Sequence, residues 1–244
     1  MKILVCTKIV YDEEQLKFSP SNGGGVLDTT TPLKISNFDL SAIECALKIK
    51  SLKADCQIIG LYIGDLLNSK LSKDLLSRGL DELIHLKTPC SDSIASANIL
   101  ADYMNNIQAD IILASQASSD LFQGVFAPYL AAKLDYAYAN AVSDIEKVEN
   151  TLTLMSSDAL NEMKISVATP CVLSINPESF EAKIPGMKAI LAAAKKPVKE
   201  ENVKEQNSLV NCIALNLPKA QDRAKQIFDM KNIENFKAEL EKLF

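Results

Sequence analysis

The first 134 residues alternate between short β-prone apolar runs and longer helical patterns, and that alternation leaves few folds open. The apolar runs are residues 3–10, 56–63, 82–87 and 110–114. Between them, Ser36-Asn37-Phe38-Asp39 offers cap residues ahead of Leu40, Ile43 and Leu47 on one helical face. Residues 68–78 are helical and stop at Gly79, and Ile94, Ala97, Leu100, Ala101 and Met104 recur at helical spacing within 91–106. A further helix is expected to open at the polar loop 115–120 and run to about Leu134. Strands separated by helices are joined by right-handed crossovers, which makes the sheet parallel and puts helices on both faces. Residues 3–10 are apolar almost throughout, as a central strand covered on both sides requires. The expected class is α/β, a doubly wound, mainly parallel, Rossmann-like sheet.

Past Ala139 the pattern changes. Residues 142–148 and 151–155 alternate around Glu149-Asn150 as a hairpin would, and 165–168 and 171–175 are strand candidates interrupted by Pro170. The earlier excursion over 11–33, with Gly23-Gly24-Gly25, reads as a loop or small hairpin. Residues 187–194 make about two helical turns entered through Pro185-Gly186, with Lys195 and Lys196 at the negative end and Pro197 as the stop. So short a helix is marginal alone and needs a surface to lie on, its own core or a partner. Residues 199–207 are charged and lack apolar periodicity, which suits a linker, and 219–244 hold two short amphipathic helices. The expected division is an α/β domain over 1–198 and a linker with a C-terminal helical arm over 199–244.

Composition removes several classes of function. A net charge of −5, no Trp and 6% aromatic residues argue against nucleic acid. Six cysteines without a Cys-x-x-Cys pair exclude the usual zinc and iron–sulfur cassettes and fit a reducing cytoplasm. No apolar run reaches membrane-spanning length, so a soluble protein without membrane insertion is expected. The sole histidine, His85, lies within an apolar strand and reads as structural. Without a histidine beside a nucleophile, bond chemistry by this chain alone has little support, and no catalytic or metal-binding residue is expected.

Ligands of open α/β sheets bind at the carboxyl ends of the strands, where the strand order reverses. Cys6 and Thr7, residues 37–40, Ile63-Gly64 and residues 115–124 converge there. Ser115-Gln116-Ala117-Ser118-Ser119-Asp120 is polar and short, with amides and hydroxyls able to hold a phosphate or ribose. Asp120 either accepts from a ribose hydroxyl or caps the following helix. Walker A and Gly-x-Gly-x-x-Gly patterns are missing.

Several segments, in order, resemble the β subunit of electron transfer flavoproteins, and within it the FixA-type branch. Lys2-Ile3-Leu4-Val5-Cys6-Thr7-Lys8 is similar to the family's opening strand. Lys34-Ile35-Ser36-Asn37-Phe38-Asp39-Leu40-Ser41-Ala42-Ile43-Glu44 is similar to its second signature. Asp74-Leu75-Leu76-Ser77-Arg78-Gly79-Leu80-Asp81-Glu82-Leu83 and Ser118-Ser119-Asp120-Leu121 are similar to FixA-type versions, as is the segment 184–198. The resemblance implies a heterodimer with a FixB-like α subunit that carries the redox FAD. It implies AMP or a second FAD in this chain, held by Cys6, Asn37, Phe38, Asp39, Leu40, Ile63, Ser115 to Asp120, Gln123, Gly124, Val125 and Phe126. It implies a loop for docking a partner dehydrogenase, carrying Ile184, Pro185, Met187, Lys188, Ile190, Leu191 and Lys195. Electrons would pass towards a quinone-linked or reductase acceptor. The chain departs from the family pattern at Ser115, where the family usually has Gly, near Val125, where it has Gln, and near Ala127, where it has Gly. It departs also in the bulk of Phe126, where the chain should approach a phosphate closely. A nucleotide-free scaffold subunit and a stand-alone universal-stress-type nucleotide-binding module are the alternatives.

Overall fold

Five of the six residues of strand β1 (Lys2–Thr7) are buried, because alternate side chains enter two different cores. Ile3 and Val5 face one helical layer, Leu4 and Cys6 the other, which is why the run carries no polar alternation. The computed structural model describes residues 1–21, 24–28, 30–89, 92–149, 151–158, 160–210, 227 and 233–241. After β1 come β2 (Ile9–Tyr11), a 3-10 turn (Glu13–Gln15), an antiparallel pair β3 (Phe18–Ser21) and β4 (Gly24–Leu27), and β5 (Leu33–Ile35), which pairs with β2. The alternation then runs α1 (Asn37–Leu52), β6 (Gln57–Ile63), α2 (Ser69–Ser77), β7 (Glu82–Lys87), α3 (Ser93–Ile107), β8 (Ile111–Ser115) and α4 (Phe126–Leu134). The chain continues through β9 (Ala137–Val148), β10 (Thr151–Ser157), β11 (Glu162–Ala168), β12 (Cys171–Ile175), α5 (Met187–Ala193), β13 (Val198–Asn202) and α6 (Ile233–Glu241).

Among the described residues, nine strands form one sheet in the order β11-β10-β9-β12-β8-β1-β6-β7-β13. Every pairing from β9 to β13 in that order is parallel, and β9, β10 and β11 add an antiparallel meander at one edge. Residues of α1 and α2 join one core, residues of α3 and α4 the other. The doubly wound class, the hairpin over 142–155 and the hairpin in the 11–33 excursion are as the sequence predicts. From β1 the chain builds outward through β6 and β7, then crosses by α3 to β8 on the other side of β1. The carboxyl ends of β1 and β8 therefore flank the point where strand order reverses.

Local chemistry explains the helix ends. The Asn68 carboxamide accepts from the amides of Lys70 and Leu71 at 3.0 Å each, and Asp92 caps α3 through Ile94 and Ala95 at 2.8 and 2.7 Å. The Lys196 ammonium donates to the carbonyls of Leu76 and Leu80, so it serves the end of α2 rather than the end of its own helix. α5 packs on α2 and buries Ala193.

Two expectations are corrected. α4 opens at Phe126, not within 115–120, because Phe122 (φ 53°) and Gly124 (φ 65°) take left-handed conformations that interrupt any earlier helix. The charged stretch from 199 begins in strand β13 rather than in a linker, pairing Val198 to Asn202 with Leu83 to Lys87. An outermost strand held by backbone pairing needs no apolar periodicity, and Tyr103 anchors it through Glu201. Residues 198 and 199, where the sequence suggests a division, both lie in β13. Of the two C-terminal helices, α6 is present with no buried residue, and the earlier one falls outside the described residues. Cys6, Cys45, Cys56 and Cys171 are buried free thiols, while Cys90 and Cys212 lie outside the described residues.

Gly79 ends α2 at φ 110°, and a Cβ there would stand 2.6 Å from Leu47 Cδ2. Gly79→Ala should therefore lower unfolding stability by about 1–3 kcal/mol. The measurement is a fall in the urea midpoint at unchanged slope.

Candidate functional site

The carboxyl ends of β1, β6 and β8, the first turns of α1 and α3, and the loop 116–125 surround one cleft. The space between its walls is about 830 Å³, counting the open solvent at its mouth. Of the residues expected from sequence, the fold gathers Cys6, Asp39, Ile63, Ser115, Gln116, Ala117, Ser118, Gln123, Gly124, Val125 and Phe126 around it. The other five stand behind or beside the wall. Asn37 is exposed, its carboxamide donating to Glu13 at 3.4 Å. Phe38 meets Phe122 edge to face, with centroids 5.0 Å apart, and so braces the loop from behind. Leu40 packs towards the α1 core, and the Ser119 hydroxyl is buried with no hydrogen-bond partner among the described residues. Asp120 does not cap a helix; its carboxylate pairs with the Lys8 ammonium at 2.8 Å.

Sequence reasoning missed Lys8, Leu61, Ala114 and the α3 residues Asp92, Ser93 and Ser96. Lys8 was legible as the first residue past β1, and the α3 group as a capped helix start following a strand's carboxyl end. Ser93 donates to the Gln123 carboxamide at 3.0 Å, joining α3 to the loop. Asp92 also accepts from Ser208, which ties the chain beyond β13 to the rim. Burial acts against the Asp92 carboxylate, but the Ser208 hydroxyl and the α3 amides hold its pKa below the usual range.

Asp39, like Asp92, is a buried acid of the cleft wall. Its carboxylate accepts from the Lys8 amide at 2.7 Å and meets the Ser115 hydroxyl. Burial pushes its pKa up to about 7, against the opposing pull of Ser115 and Lys8. The Ser115 hydroxyl also lies 2.6 Å from the Ala117 carbonyl and has only one proton to give. A protonated Asp39 resolves that conflict, donating to Ser115 while Ser115 donates to Ala117. Burial, with Asp39 beside it, raises the Cys6 thiol far above its ordinary value, so Cys6 is a neutral, small apolar wall. Burial also opposes the Asp120 charge, yet Lys8 and Ser118 keep its pKa low.

Other residues with chemical potential sit elsewhere. His85 is buried on β7, with Nε2 2.8 Å from the Gly64 carbonyl, and does not line the cleft. No group of three His, Cys, Asp or Glu fit to hold a metal occurs among the described residues, and no described helix is long and apolar enough to cross a membrane. The segment expected to dock a dehydrogenase is outward-facing. Ile184, Met187, Lys188, Ile190, Leu191 and Lys195 are exposed, Ile184 at 94%, while Pro185 is half-buried.

Because the folded pKa of Asp39 exceeds its unfolded value, the folded state binds the extra proton between about pH 4 and 7. Its contribution to stability is full below that window and is lost as pH rises through it, by at most about 4 kcal/mol. Asp39→Asn should therefore gain melting temperature relative to the parent as pH is raised across the window. A difference that stays flat with pH would contradict the assignment.

Comparison with known families finds a match to the electron transfer flavoprotein domain over residues 24–206. The matched span runs from the start of β4 to just past β13 and takes in most of the cleft's wall. This chain belongs to the electron transfer flavoprotein domain family.

Proposed function

We propose that this chain is the β subunit of an electron transfer flavoprotein of the FixA-type branch, with an adenine nucleotide in the cleft at the strand reversal. The observation that carries the reading is that cleft, in a chain of this family, walled by the loop 115–126 that the resemblance assigns to nucleotide. The donor set fits the polar part of AMP or of FAD. The hydroxyls of Ser93, Ser96 and Ser118 line the cleft and would exchange their present partners, Gln123, the Asp92 carbonyl and Asp120, for the ligand. The first turn of α4, in which Pro128 has no amide hydrogen, adds the Phe126 and Ala127 amides. A Cβ at Gly124 would meet the Gln116 carbonyl at 3.3 Å, so glycine keeps the backbone close there. Backbone amides need no glutamine at 125, which makes Val125 compatible with a bound phosphate.

The flavin of a FixB-like α subunit supplies the electron-transfer chemistry; this chain's residues bind, orient and exclude water. Two outward apolar surfaces suit a protein that works in a complex. One is Ile184, Met187, Ile190 and Leu191 around α5, which we assign to an electron-exchanging dehydrogenase. The other is Ile233, Phe236 and Leu240 on α6, which we assign to the α subunit. The assembly would act in the cytoplasm, between dehydrogenases and a quinone-linked or reductase acceptor.

Co-production with the flavin-bearing partner, followed by counting nucleotide and flavin released on denaturation, tests the reading. One FAD with one AMP, or two FADs, per heterodimer is the expected result. One FAD without a second nucleotide would instead favour the scaffold alternative. Leu191→Glu should slow electron exchange with the dehydrogenase at least tenfold, about 1.4 kcal/mol, while leaving the nucleotide count unchanged. Unchanged transfer kinetics would remove α5 from docking.

A further inference from the structure

Among the described residues that line the cleft, Lys8 is the sole lysine or arginine, beside two carboxylates, Asp39 and Asp92. A phosphate entering this cleft therefore meets one full positive charge. The backbone of Lys8 is fixed on both sides of its peptide units. Its amide donates to Asp39 at 2.7 Å, and its carbonyl accepts from the Ser36 amide at 2.9 Å. Only the side chain is left to swing. Its ammonium stands 2.8 Å from Asp120 and 3.5 Å from the Ser118 hydroxyl, and both partners of the ion pair are 39% exposed. An ion pair so open to water is weak and exchangeable.

The geometry points to Lys8 as the residue that distinguishes a phosphorylated adenine nucleotide from its nucleoside, with Asp120 as an internal anion competing for the same ammonium. This rests on the cleft holding an adenine nucleotide. A phosphate contacting Lys8 takes over a charge-assisted contact that Asp120 otherwise holds. It also lies near the Asp120 carboxylate, and the like-charge repulsion weakens its binding. Asp120 thus lowers affinity for phosphate without touching the base or ribose. A purely mechanical role for the pair, tying the loop 116–125 to the end of β1, makes a different forecast. It would alter nucleoside and nucleotide binding alike.

Calorimetric titration of the full chain, freed of copurifying nucleotide, with adenosine and with AMP separates these roles. The parent should favour AMP about tenfold, and that preference should shrink with added salt. Lys8→Gln should abolish the preference while adenosine affinity stays within about twofold, and Lys8→Arg should restore it. Asp120→Asn should widen the preference about threefold by freeing the ammonium. Loss of adenosine binding in Lys8→Gln would overturn the inference in favour of a structural role. A preference retained in Lys8→Gln, or narrowed in Asp120→Asn, would also overturn it. Equal binding of adenosine and AMP by the parent would sink the inference and leave the cleft a nucleoside site. Binding of neither would bring down the nucleotide reading with it.

Discussion

A strand covered on both faces has only its ends left to reach solvent, and β1 is such a strand. Its side chains supply both cores, so helices must lie on either side of it, and its neighbours β6 and β8 must be parallel to it. Parallel crossovers return every following helix to the same end of the sheet. The first turns of α1, α3 and α4 consequently gather at one rim beside the strand ends, where Asp92 takes up the α3 amides of Ile94 and Ala95. The cleft is the space left where the chain stops building outward from β1 and recrosses it. Its position is a consequence of core packing, and its chemistry is added by whichever residues follow the strands.

That chemistry is arranged around a carboxyl group at a cost. Asp39 is taken out of water to hold the turn after β1 and the end of β8 together, through the Lys8 amide and Ser115. Protonation lowers the cost of burial and leaves the geometry in place. The two acids that hold Lys8 therefore differ in kind. Asp39, enclosed, gives up its charge easily; Asp120, beside an ammonium and half in water, keeps it.

The sheet was legible because burial on both faces leaves unbroken apolar runs, and three of the four runs match their strands to within a residue or two. The 3–10 run instead divides between β1 and β2, with Lys8 at the break. Gly79 was legible as helix punctuation for an equally local reason, whereas Asn68, read as helical, is the cap of α2. The loop 115–125 was not, because its course depends on Phe38 against Phe122 and on Ser36 accepting from the Ser119 amide, contacts between distant segments. Ser36 reads as a cap for α1 in sequence, yet its hydroxyl is spent on that loop. β13 was missed because its hold on the sheet is backbone pairing, which leaves no side-chain signature. Eleven of the sixteen expected cleft residues line it. The remaining five are neighbours in sequence that strand and helix geometry turns aside.

The position of β12 has a consequence for how the chain reaches this fold. It lies between β8 and β9, both of which precede it in the sequence. Until residues 171–175 are in place, neither of those strands has its final neighbour on that side, and each presents an open row of amides and carbonyls. During synthesis from the ribosome the two edges must wait, near enough to admit a third strand and without closing on each other. Sequence-distant parallel pairing of this kind is slow and exposes adhesive edges meanwhile. The parallel sheet becomes continuous only when a late strand is inserted into its middle, so the vulnerable period of this protein is set by topology.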